Sequence, residues 1–175
     1  VVLTQVASGA YRLTRTLTLR RDLATVEVSY TMENLRAPRQ GLGLRFFSSC
    51  SPGARGAYQR RDDTIYLPLA DGVIGLDQSL NGERYKAAYG ADVFMQPDWA
   101  GQARRKWVRA DRCNATLAGN WAAQVNRAHG DGMAMLVAPE VLQGFYTAVG
   151  ATLEACLDPV VLAPGERWQF SVHLA

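Results

Sequence analysis

The segment from Ala24 to Glu33 constrains this chain more than any other. Val26, Val28, Tyr30 and Met32 alternate with Thr25, Glu27, Ser29, Thr31 and Glu33. A period of two puts successive side chains on opposite faces of an extended strand, here one apolar and one polar. Tyr11, Leu13, Leu17 and Leu19 alternate in the same way with Arg12, Thr14, Thr16 and Thr18, and Arg15 interrupts the apolar row. Arg21-Asp22 falls between the two segments as a hairpin turn. At the other end of the chain, Trp168, Phe170, Val172 and Leu174 alternate with Arg167, Gln169, Ser171 and His173.

Short extended segments fill most of what lies between. Asn34 to Gln40 reads as a loop, Gly41 to Ser48 as extended, and Ser51-Pro52-Gly53 as a break. Thr64–Leu69 and Val73–Leu76 flank Asp71-Gly72, a hairpin signal. Cys113–Leu117, Trp121–Val125 and Met133–Val137 are separated by Gly119-Asn120 and by His129-Gly130-Asp131-Gly132. Gly144 to Cys156 makes one longer strand or two short ones, and Ala163-Pro164-Gly165-Glu166 is a turn. Leu80 to Arg112 shows no regular pattern and carries Tyr85, Tyr89, Phe94, Trp99 and Trp107. No amphipathic helix of ten or more residues stands out. Many short strands spaced by turns predict an all-β fold, a two-layer antiparallel sandwich with little helix, formed as a single domain over 1–175.

Composition narrows the function. The net charge of +3 gives no case for nucleic acid, and no apolar run reaches the ~20 residues of a membrane span. Only Lys86 and Lys106 among the basic residues are lysine. That arginine bias fits a GC-rich bacterial genome, with cytoplasmic and secreted placement both open. A first residue of Val rather than Met is expected of a processed or excised form, with an upstream signal or fused domain elsewhere. Cys50, Cys113 and Cys156 form no C-x-x-C pair and read as buried free thiols or as one disulfide with a spare thiol, so no metal site and no organic cofactor is expected.

There is no phosphate-cradling glycine loop, no nucleophile elbow and no HExxH pair. The candidates that remain are few. Glu154 stands in an otherwise apolar segment as an acid, a base or an acceptor for a sugar hydroxyl. His129 sits in a turn from which it could reach a ligand, and His173 reads as exposed. Asp98, Trp99, Arg104 and Trp107 combine rings with hydrogen-bonding groups, as carbohydrate sites do. Arg45 adds a bidentate donor, which favours an acidic sugar.

Thr25-Val-Glu-Val-Ser-Tyr-Thr-Met-Glu-Asn34, followed by Gly41-Leu-Gly-Leu-Arg-Phe-Phe47, resembles the galactose mutarotase-like supersandwich. So do the close Leu162-Ala-Pro-Gly-Glu166 and Trp121-Ala-Ala followed by the Gly130-Asp-Gly132 turn. The resemblance implies a supersandwich-like fold and sugar as the ligand class, with Glu154 near the position of the family's catalytic base. It also marks a departure. Where epimerases of this family carry a histidine in His-Pro-Tyr-Phe, this chain has Arg45-Phe46-Phe47. The expectation is therefore a carbohydrate-recognising domain without catalysis of its own. Two readings stay open beside it: an epimerase or mutarotase using Glu154, His129 and Arg45, and a structural or interaction domain with no small ligand.

Overall fold

The computed structural model describes residues 2–7, 9–36, 38, 40–48, 63–70, 72–77, 92–97, 113–148 and 153–175. In chain order the strands are β1 (Val2–Ala7), β2 (Tyr11–Leu19), β3 (Val26–Asn34), β4 (Gln40–Leu42), β5 (Arg45–Ser48), β6 (Asp63–Leu69), β7 (Gly72–Asp77) and β8 (Asp92–Pro97). They continue as β9 (Cys113–Leu117), β10 (Trp121–Asn126), β11 (Asp131–Val137), β12 (Leu142–Ala148), β13 (Leu153–Leu157), β14 (Val160–Leu162) and β15 (Arg167–Leu174). No helix occurs among the described residues.

The alternating segments read from sequence become the centre of one layer. β3 pairs antiparallel with β2 and with β15 along its whole length, so Arg15, Tyr30 and Phe170 stand side by side on one face. The opposite face carries the polar set. There Arg12 and Arg167 both donate to Glu33, at 3.0 and 3.2 Å. The Ser29 and Ser171 hydroxyls donate to Glu27 at 3.0 and 3.2 Å.

Hydrogen bonding continues from this layer through β11, β10, β6, β9, β8, β12 and β13 to β5, and with β7 beside β6 the sheet has 13 strands. Every pair is antiparallel except β8 with β9. The sheet folds over on itself. Phe46 of β5, near one end of the path, meets Tyr30 of β3, near the other, edge to face at 6.0 Å. The core is what lies between the two layers: Ile65, Leu67, Met135, Val137 and Val172 from one side, with Leu142, Phe145, Leu153, Ala155 and Leu157 from the other. Closing a sheet onto itself hides the apolar face that alternation creates.

Several segments differ from the sequence reading. Val2–Ala7 was unassigned and forms β1 on the edge of β2. Gly41 to Ser48, read as extended, falls into two strands. β4 pairs with β14 in a separate two-stranded sheet, while β5 pairs with β13. Within the stretch read as irregular, Asp92–Pro97 forms β8 between β9 and β12. A run of six residues is too short for its pattern to separate strand from loop.

β10 buries the more polar side of its alternation. Trp121 is only half-buried, while Ala122, Gln124 and Asn126 are buried. Asp63 explains the inversion. It is itself 1% exposed and accepts from Gln124 Nε2 and Asn126 Nδ2, both at 2.9 Å. Asn126 Oδ1 in turn accepts the backbone N–H groups of Ala128 and His129. Both amide N–H groups are thus buried against the one carboxylate that accepts them.

Candidate functional site

Arg45 is the hub of the site. β5 pairs with β13 so that Arg45 lies opposite Cys156 and Phe47 opposite Glu154, while Tyr146 of β12 faces Glu154 from the other side. Arg45 Nη1 donates to Glu154 Oε2 at 2.8 Å. Its guanidinium carbon lies 5.1 Å from the centre of the Tyr146 ring, within cation–π range. The two partners differ in exposure: the Glu154 side chain is 4% exposed and that of Arg45 is 39% exposed. The arginine therefore carries the charge of a buried carboxylate out towards solvent.

Cys156 is buried in the same group, and its thiol is free. Burial pushes the thiol up to about 11, with Arg45 opposing the shift and Glu154 adding to it. A thiol so placed stays protonated at neutral pH and is a poor nucleophile.

A cavity of about 300 Å³ opens beside Arg45, between the two ends of the folded sheet. Its walls are the rings of Tyr30, Phe46 and Phe170, with Leu13 and Leu44, and its cations are Arg15 and Arg45. Tyr30 and Phe170 are stacked at 4.8 Å with planes 9° apart, and Trp168 backs Phe170 at 4.8 Å. Cross-strand pairing at matching register builds this wall: an aromatic on β3 opposite an aromatic on β15.

The candidates from sequence are placed as follows. Glu154 and Arg45 come together. His129 lies in the turn between β10 and β11, exposed, with its backbone N–H bonded to Asn126 Oδ1 at 3.0 Å. His173 is exposed on the polar side of β15, opposite Glu27. Asp98, Trp99, Arg104 and Trp107 lie outside the described residues. Sequence reasoning missed Tyr146, Cys156, Arg15 and the Tyr30–Phe170 wall. The one available signal was Arg15, which breaks an otherwise apolar row.

No family model and no curated protein sequence matches the chain. Its fold does match solved structures. The Slr1438 protein from Synechocystis is 12% identical with a TM-score of 0.54, covering 99% of this chain and 59% of its own. A galactose mutarotase-like protein from Lactobacillus casei is 12% identical with a TM-score of 0.57, covering 99% and 67%. The GH36 α-galactosidase AgaA from Geobacillus stearothermophilus, in complex with raffinose, is 13% identical with a TM-score of 0.56, covering 99% of this chain and 23% of the enzyme. The chain thus has the galactose mutarotase-like sandwich fold and spans about two thirds or less of these structures' lengths.

Proposed function

We propose that this domain recognises carbohydrate at the Arg45–Glu154 site and does not itself catalyse a sugar reaction. The observation that carries the reading is the ion pair beside an aromatic-walled cavity. The Arg45 guanidinium, held in place by Glu154, offers donors to hydroxyls, while rings offer faces to C–H groups. Fold neighbours whose names refer to galactose mutarotase and α-galactosidase support the ligand class. The same pair argues against catalysis. Opening a hemiacetal needs a proton donor as well as a base. Arg45 holds Glu154, and a guanidinium keeps its proton under any physiological condition. Asp98, Trp99, Arg104 and Trp107 are proposed to add rings and hydrogen-bond groups to this site, as their composition suggests.

Saturation-transfer NMR with D-galactose and D-glucose tests the binding, and anomeric exchange in the same tubes tests the catalysis. Saturation transfer is expected, weakened roughly tenfold or more in affinity by Glu154→Gln. Anomeric exchange is expected at the rate of buffer alone. Acceleration that Glu154→Gln removes would establish the epimerase reading instead. Absence of saturation transfer with every sugar would leave an interaction domain.

A further inference from the structure

Arg15 is out of place in its strand. It shares its face with the half-buried Leu13 and Leu17 and stands opposite Tyr30, yet it is itself exposed and lines the cavity. A break in a local pattern with no structural compensation is a mark of function. Compensation is missing here: among the described residues Arg15 has no hydrogen-bond or ion-pair partner, and the Tyr30 hydroxyl has none either. The other arginines of this layer differ. Arg12 and Arg167 are both spent on Glu33.

The charge balance of the cavity is then uneven. Among the described residues Arg45 is matched by Glu154, whereas Arg15 has no acidic partner and no acid lines the cavity. A void of about 300 Å³ holds a single sugar ring or a body of similar size. Flat half-buried rings suit its faces, and a free guanidinium with a free hydroxyl suits an anionic substituent.

We infer that this cavity selects a ring-shaped ligand bearing a carboxylate or phosphate, with Arg15 as the residue that reads the anion. The inference rests on the carbohydrate reading for the nature of the ring, and on Arg15 for the charge. Uronates and sugar phosphates share the required chemistry, and both belong in the test.

Titration calorimetry with D-glucose, D-glucuronate and glucose 6-phosphate measures the preference. At least one anionic sugar is expected to bind roughly tenfold tighter than glucose, by the strength of one charge-assisted hydrogen bond. Arg15→Gln is expected to bring that ratio close to one, and Arg15→Lys to keep part of it. Equal affinity for glucose and both anions, or a preference that survives Arg15→Gln, overturns the inference. If no sugar binds, 4-nitrobenzoate separates the two readings. Binding of that anion, lost in Arg15→Gln, retains the anion pocket and removes the carbohydrate reading. No binding of any probe removes both.

Discussion

The backbone N–H of Gly165 donates to the carbonyl oxygen of Asn34 at 2.6 Å, joining the end of β3 to the turn before β15. The link is reciprocal: Asn34 N–H donates to the Glu166 carbonyl at 3.0 Å, and Asn34 Nδ2 to that of Leu162 at 2.9 Å. Glu166 closes the turn by accepting Ala163 N–H at 2.7 Å. The two motifs that suggested a family by sequence, Glu-Asn at a strand end and Leu-x-Pro-Gly-Glu, are therefore one structural lock. Gly165 sits at φ +85° with open space where a Cβ would go. Gly165→Ala is expected to cost about 1–2 kcal/mol from backbone strain alone. Asn34→Ala, which leaves a buried carbonyl without its donor, is expected to cost about 1–3 kcal/mol. Urea denaturation of both variants checks the order.

Arg45→Met and Glu154→Gln are expected to differ in stability although each removes the same ion pair. Loss of Arg45 removes the guanidinium from a carboxylate that is 4% exposed, while Glu154→Gln leaves a cation already facing solvent. A fully buried pair broken from one side costs about 3–5 kcal/mol. The exposure of Arg45 reduces this to about 1–3 kcal/mol for Arg45→Met. A smaller loss is expected for Glu154→Gln. Equal losses by chemical denaturation would show that the buried charge is compensated by other groups.

The thiol of Cys156 gives a pH signature. Its value in the fold is about 11 against an ordinary 9.0, so the folded chain holds the proton more tightly than the unfolded one. That contribution is complete below pH 9 and is lost as pH rises towards 11. The native protein is therefore expected to lose stability between pH 9 and 11 more steeply than Cys156→Ala, by melting temperature. Peptide mapping after iodoacetamide at pH 8 is expected to find Cys156 unmodified in the folded protein and modified once it is unfolded in urea.

What the sequence determined is the fold class and the layer that carries the clearest alternation. Val26 to Met32 and Trp168 to Leu174 state which face is buried, because in a strand with one wet side each residue's polarity records its direction. The turn residues, Gly165 among them, were legible for the same local reason. Tertiary structure alone decided the rest. β8 lies between two strands and shows no period. β10 buries Gln124 and Asn126 because Asp63, from a distant part of the chain, accepts both their amides. The site itself is a product of closure. Arg45 meets Glu154 by pairing β5 with β13, and reaches the Tyr30–Phe170 wall only because the sheet folds until its two ends touch. Alternation encodes which way a side chain faces, but no local pattern encodes which distant strand it will face.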